Sequence, residues 1–274
     1  MSLAEIFSDE GIEYFAVLDI NDLSIVNPGL LERYGVKPKS VIVFLIPYYG
    51  GKTENISVYS ASRDYHLFIK ELNSRLIPKI RELYPNSGLV GFGDHSPIDE
   101  RHAALTAGLG ILGKNGLLIN EKYGSYIFIA DIITDIDPDL IGAVKPQKAA
   151  FCEGCGICLE SCPTGILLGK SEVCLSAVTQ KKGELTEEER DLILRCGSVW
   201  GCDACQMYCP RNANPQITPI EFFRNDRIAK LDLKTLDAMT DEQFSERAYA
   251  WRGRKTVRRN ILLFEGEKTD KIDP

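Results

Sequence analysis

The sequence predicts an α+β protein in two parts, an α/β domain over residues 1–140 and a metal-binding domain over residues 141–274 that ends in a basic helix. Three observations carry this reading. Over the first half, apolar residues switch between short β-branched runs and a helical period. All nine cysteines fall within 58 residues, from Cys152 to Cys209. Although the net charge is −7, the run from Trp251 to Asn260 holds Arg252, Arg254, Lys255, Arg258 and Arg259 and no acid.

The elements follow in order. Ser40 to Tyr49 is a β-branched apolar run, read as a buried strand that ends at Pro47. From Tyr59 to Leu83 the pattern is helical: Phe68, Leu72, Leu76 and Ile80 recur along one face, with Ile69 and Ile77 beside them. Gly88 to Phe92 is a short strand. Leu117 to Asn120 and Ser125 to Thr134 read as strands around a turn at Glu121 to Gly124, and Pro138 to Gln147 as a connection. Thr186 with Glu189 spells a capping box opening a helix that runs to about Arg195. Thr218, Pro219 and Glu221 mark another helix start, and Thr240 with Gln243 a third.

Composition narrows the function classes. With 274 residues and 44% hydrophobic content, the chain can bury one large core or two smaller ones. The negative balance disfavours a nonspecific grip on nucleic acid, leaving the 251–260 run as a local patch that could track phosphates or be a solvated helix face. No apolar run reaches the roughly 20 residues that span a bilayer. Met1 to Asp19 carries Glu5, Asp9, Glu10, Glu13 and Asp19 and no base, unlike a secretory signal, so a cytoplasmic location and no membrane partner are expected.

The cysteine array is the most specific signal. Cys152, Cys155, Cys158 and Cys162 followed by Pro163 match the run of two-cluster bacterial ferredoxins. There, three thiolates on a tight loop cap one cluster and the fourth serves the other. The second half, Cys202, Cys205 and Cys209 followed by Pro210, also ends in Cys-Pro. A swap would give one [4Fe–4S] cluster Cys152, Cys155, Cys158 and Cys209. The other would take Cys202, Cys205, Cys162 and either Cys174 or Cys196. Paired zinc sites are the competing reading.

Other features are less specific. Gly108, Gly110 and Gly113 spell a dinucleotide fingerprint, but an apolar strand follows where a helix is required, so that reading is rejected. A glycine-rich loop closely approached by a flat ligand, or a simple turn, remains. Asp94 follows a strand within Gly93-Asp94-His95-Ser96-Pro97, where it could be a general acid or a local backbone cap. His66 and His95 are ambiguous in the same way.

Taken together, the pieces from about Ser40 to Leu263 resemble the epoxyqueuosine reductase family, cobalamin-dependent iron–sulfur enzymes of tRNA queuosine synthesis. The resemblance is carried by Asp64-Tyr65-His66; by Gly91 to Pro97 with Glu100-Arg101, close to the family's D-S-A-P and L-E-R; by Ala107 to Gly110 with Gly113-Lys114; and by Gly124-Ser125. It extends to Cys162 to Gly165, to Gly201 to Gln206 and to Arg258 to Leu262. It implies an N-terminal α/β cobalamin-binding, reductase-like domain followed by a ferredoxin-like double-cluster domain. It implies Asp94 as the proton donor and Cys174 as the last cluster ligand, with Cys196 spare. Cobalamin contacts would fall on Tyr65, His66, His95, Ser96, Gly108, Gly110, Gly113, Lys114, Ser125 and Thr164.

The implied partners are the tRNA anticodon region and an electron donor such as a ferredoxin or flavodoxin. Three departures are visible: a chain without the C-terminal helical repeats of longer members, His95 inside the D-S-A-P loop, and Leu175 to Thr179 after Cys174 without the family's tyrosine. They leave open another substrate, such as a free modified nucleoside or an organohalide, and a plain two-cluster electron carrier.

Overall fold

The structure, a computed structural model, describes residues 1–269. Contacts divide the chain into two units. The first is built from Met1–Tyr48, His66–Cys155 and Asn214–Ile220, the second from Tyr49–Tyr65, Gly156–Ala213 and the chain from Glu221 onward. The boundary expected after residue 140 falls inside the first unit. There the chain returns to that unit's own elements: the Val144 amide donates to the Val17 carbonyl and the Gln147 amide to the Thr106 carbonyl, both at 2.8 Å.

The first unit runs α1 (Leu3–Asp9), β1 (Phe15–Asp19), α2 (Pro28–Tyr34), β2 (Ser40–Pro47), α3 (Tyr65–Leu83), β3 (Leu89–Gly93), α4 (Glu100–Thr106), β4 (Ile111–Leu112), β5 (Leu118–Ile119), β6 (Ile127–Thr134) and α5 (Pro138–Ile141). Four strands form one sheet in the order β1-β2-β6-β3, with every neighbouring pair antiparallel. Strands β2 and β3 therefore run parallel with β6 inserted between them, a split βαβ arrangement closed by α3. All eight residues of β2 are buried, as expected of a central strand flanked by β1 and β6.

Helix α3 buries Phe68, Ile69, Leu72, Leu76 and Ile80, the face read from the sequence. It begins at Tyr65 and not at Tyr59. Residues 58–60 form a 3-10 turn instead, held by the Ser57 amide on the Trp200 carbonyl at 2.7 Å and by the Val58 amide on the Asp203 carboxylate at 2.6 Å. Those tertiary bonds outweigh local helical preference. The strands at 117–120 and 125–134 also part company: β5 pairs with β4, β6 joins the main sheet, and only a bridge between Asn120 and Gly124 marks the turn.

The second unit is a set of short helices: α6 (Ile157–Glu160), α7 (Leu175–Thr179), α8 (Glu187–Cys196), α9 (Ala204–Met207), α10 (Glu221–Arg224), α11 (Leu233–Ala238), α12 (Asp241–Ser245) and α13 (Arg254–Thr269). The expected capping boxes are present at Thr186 with Glu189 and at Thr240 with Gln243. One apolar cluster gathers Trp200, Leu231, Leu236, Tyr249, Val257 and Ile261; a second gathers Leu175, Val178, Leu185 and Ile193. Among the described residues no helix is long and apolar enough to cross a membrane.

Candidate functional site

In the first unit the candidate acid stands on a constrained loop. Strand β3 ends at Gly93, and Asp94 adopts φ 68°, the left-handed region that Asp tolerates better than most residues. Its amide donates to Glu100 Oε1 at 3.0 Å, and its Oδ2 lies 3.6 Å from His66 Nε2 on α3. Both side chains face solvent, at 64% exposure for Asp94 and 52% for His66. The Asp94 carboxyl is therefore a solvent-facing one. The buried acids lie behind it.

Glu100, the first residue of α4, is half-buried, and burial first, then the charge of Asp131, push its carboxyl up to about 8. Asp131 is fully buried on β6, and burial pushes it up to about 7. The Ser96 hydroxyl lies near enough to favour the Asp131 charge, yet neither Asp131 oxygen has a partner in hydrogen-bond geometry. Glu100 entered the sequence reading only as part of a motif, and Asp131 was missed. Its signal is a lone acid inside the apolar strand IFIADIIT.

The remaining first-unit candidates divide by exposure. His95 and Lys114 are exposed, whereas Ser96 and Ser125 are buried. The glycines have reasons within the fold. Gly108 is left-handed, at φ 73°, and follows α4. A Cβ at Gly110 would stand 2.6 Å from the Ile119 carbonyl oxygen, and one at Gly113 2.4 Å from Asn115 Oδ1. A helix precedes this stretch and a strand follows it, the reverse of the dinucleotide fold. Near the start of the cysteine run, the Cys152 amide donates to the Leu112 carbonyl at 3.0 Å, and a Cβ at Gly154 would lie 3.3 Å from Lys114 Cε.

In the second unit the Cys205 thiol lies within electrostatic reach of Cys202, Cys174 and Cys162, and Cys202 within reach of Cys174 and Cys196. Burial pushes Cys205 up to about 12, with Cys202, Cys174 and Cys162 adding to it. Burial likewise pushes Cys202 up to about 11, with Cys174 and Cys196 contributing. At Cys162, burial is outweighed by the amides of Leu167, Thr164 and Gly165 and by the Thr164 hydroxyl, so that thiol ionises more readily than usual. Such crowding is costly for free thiols and is relieved when an iron–sulfur cluster takes the thiolates, so the donor set fits that group. Thr164 stands 3.7 Å from the Cys162 sulfur, which places it at this thiol.

The turn at Gly201 to Asp203 is fixed from outside the loop. Gly201, at φ 74°, leaves no room for a Cβ, which would come within 2.5 Å of Ser57 Cβ. Its amide donates to the Thr179 hydroxyl at 2.9 Å, while Asp203 accepts from the Ser57 hydroxyl and the Val58 amide. The basic run proves largely structural. Arg254 donates to the carbonyls of Leu236, Met239 and Thr240, Arg258 pairs with Asp237, and Arg259 donates to the carbonyls of Lys181 and Gly183.

Comparison with known proteins agrees with this geometry. Residues 151–212 match the 4Fe-4S double cluster binding domain family. The epoxyqueuosine reductase of Listeria monocytogenes is 32% identical over 219 residues, 76% of this chain and 56% of that protein. The enzyme of Bacillus subtilis is 30% identical over 265 residues, 87% of this chain and 64% of that protein. The solved epoxyqueuosine reductase from Streptococcus thermophilus superposes with a TM-score of 0.75 at 25% identity, covering 95% of this chain and 79% of that one. A Bacillus subtilis structure whose catalytic loop is swung out of the active site gives the same figures. The chain spans between about half and two thirds of the length of the curated relatives it matches. Over most of its own length, in sequence and in fold, the chain is a relative of the epoxyqueuosine reductases.

Proposed function

We propose that the chain reduces epoxyqueuosine to queuosine in tRNA, with two [4Fe–4S] clusters and cobalamin as cofactors. The observation that carries this is the Asp94 loop: an exposed carboxyl on a left-handed turn, paired with His66 at 3.6 Å and bonded through its amide to the half-buried Glu100 carboxyl at 3.0 Å. An electron carrier has no use for such a loop. Cys152, Cys155, Cys158 and Cys209 would hold one cluster, by their ferredoxin spacing, and Cys162, Cys174, Cys202 and Cys205 the other, a set supported by the reach of Cys205 to the remaining three. Bound cobalamin, fed by the clusters and by a donor such as a ferredoxin or flavodoxin, supplies the reducing electrons.

The protein's own part is acid catalysis and positioning. Asp94 in its protonated form donates one proton to the epoxide oxygen as the first C–O bond breaks; a second proton, with two reducing electrons in all, lets the oxygen leave as water as the second C–O bond breaks and the alkene forms. A bound substrate would cover this exposed carboxyl and raise its proton affinity. His66 is placed to return a proton to Asp94 after each turnover. His95 and Lys114, exposed on the same unit, are the candidate contacts to the corrin periphery, with Tyr65 and Thr164 assigned by likeness alone. A reducing cytoplasm suits this chemistry.

The test is turnover by the anaerobically loaded protein on epoxyqueuosine-containing tRNA and on the free nucleoside, for wild type and Asp94→Asn. Turnover on tRNA that falls at least a hundredfold in Asp94→Asn, with iron and cobalt content unchanged, is the expected result. Full activity in the variant refutes the role of Asp94. Activity on the nucleoside alone moves the substrate away from tRNA, and no retained cobalt favours electron transfer.

A further inference from the structure

The carboxyls behind Asp94 form a unit of their own. Asp131 occupies the middle strand of the sheet, in register with Val43 of β2 on one side and Phe92 of β3 on the other. Directly paired residues share a face, so Asp131 points to the side where Val43 and Phe92 pack with Ala103 and Ala104 of α4. Glu100 opens that helix. Asp131 is 0% exposed and its two oxygens have no hydrogen-bond partner. An ionised carboxylate in that position would be severely destabilised, so the group must hold a proton over much of the neutral range.

Among the described residues, the charges that act most on Glu100 are those of acids. Asp94 from the β3 loop and Asp99 at the start of α4 both add negative charge to Glu100. Ser96 contributes only a hydroxyl, and Arg101 turns its guanidinium to the Gly116 carbonyl at 2.7 Å. Val43 and Phe92 on the flanking strands are apolar. Among the described residues, the donor bonded to the pair is the Asp94 amide, on Glu100 Oε1.

We propose that Glu100 and Asp131 form an electrostatically coupled carboxyl pair that positions Asp94, a charged pair gripping the Asp94 amide and holding the left-handed loop, a fully protonated pair releasing it. The functional part rests on Asp94 being the proton donor; the pair itself does not. Glu100 and Asp131 are positioning residues, since neither is placed to touch substrate. Burial sets the changeover near neutrality, with Glu100 raised to about 8 and Asp131 to about 7, and the two steps belong to the pair jointly.

The experiment uses the cluster-loaded protein. Infrared difference spectra between about pH 6 and pH 9 follow the protonated-carboxyl band in wild type, Glu100→Gln and Asp131→Asn. Hydrogen exchange read by mass spectrometry follows peptides covering Asp94 over the same range. Wild type should lose protonated-carboxyl signal in this window, and each variant should show one step fewer. The Glu100 step left in Asp131→Asn should move about one pH unit or more toward acid. Exchange at Asp94, corrected for intrinsic pH dependence, should slow severalfold as the pair ionises, and stay flat in Glu100→Gln.

No carboxyl titration in that window in wild type, which needs no variant to fold, overturns the pair. Exchange at Asp94 that is insensitive to both substitutions overturns its positioning role. These readouts do not depend on turnover. Loss of the epoxide reading therefore leaves them intact, and a wild type active on epoxyqueuosine but lacking the titration would reject the pair alone.

Discussion

Replacing Asn260 with Ala tests what holds α13 in the second unit. Asn260 is 0% exposed, and its amide nitrogen donates to two carbonyls from separate segments, Thr179 at 2.7 Å and Val199 at 2.9 Å. Its Oδ1 accepts from the Arg259 guanidinium at 2.8 Å. Alanine leaves two buried carbonyls without donors, at about 1–3 kcal/mol each, so a loss of roughly 2–5 kcal/mol is expected. Asn260→Asp keeps the shape but offers only acceptors to those carbonyls, and should be at least as destabilising despite being isosteric. Both tryptophans, buried Trp200 and exposed Trp251, belong to this unit, so urea unfolding followed by tryptophan fluorescence reports on it alone. A shift in Asn260→Ala below about 0.5 kcal/mol, or Asn260→Asp more stable than the alanine variant, would refute the reasoning.

Three further outcomes are expected. Cys196→Ser should keep the full iron content after reconstitution, whereas Cys174→Ser should lose iron and visible absorbance; the reverse result would exchange their roles. Gly110→Ala forces a Cβ to within 2.6 Å of the Ile119 backbone oxygen, and should lower the first unit's melting temperature by several degrees, about 1–3 kcal/mol, by circular dichroism. Asp131 has a folded-state pKa above its unfolded value. Its stabilising contribution is therefore present below about pH 4 and lost as pH rises to about 7, a swing of ~4 kcal/mol that Asp131→Asn should remove from the denaturation–pH curve.

What the sequence determined by itself is local. The spacing of Cys152, Cys155, Cys158 and Cys162 is a property of one loop, legible because three thiolates must cap one cluster within a few residues. The capping boxes at Thr186 and Thr240 and the buried face of α3 are local for the same reason, a side chain reaching three or four residues along its own helix. The start of α3 was not legible, because the bonds that keep residues 57–60 out of the helix come from Trp200 and Asp203, more than 140 residues away. The sheet order was hidden likewise: β6 could pair with the adjacent β5, but the apolar length of β2 offered eight partners. The basic run read equally as a phosphate-tracking patch or a solvated helix face, and the fold instead supplied carbonyls and acids for Arg254, Arg258 and Arg259. Tertiary structure alone decided the site's acid chemistry. Whether a carboxyl is raised depends on how much water and how many charges surround it, and that placed the perturbed acids at Glu100 and Asp131, behind an Asp94 that stays in solvent.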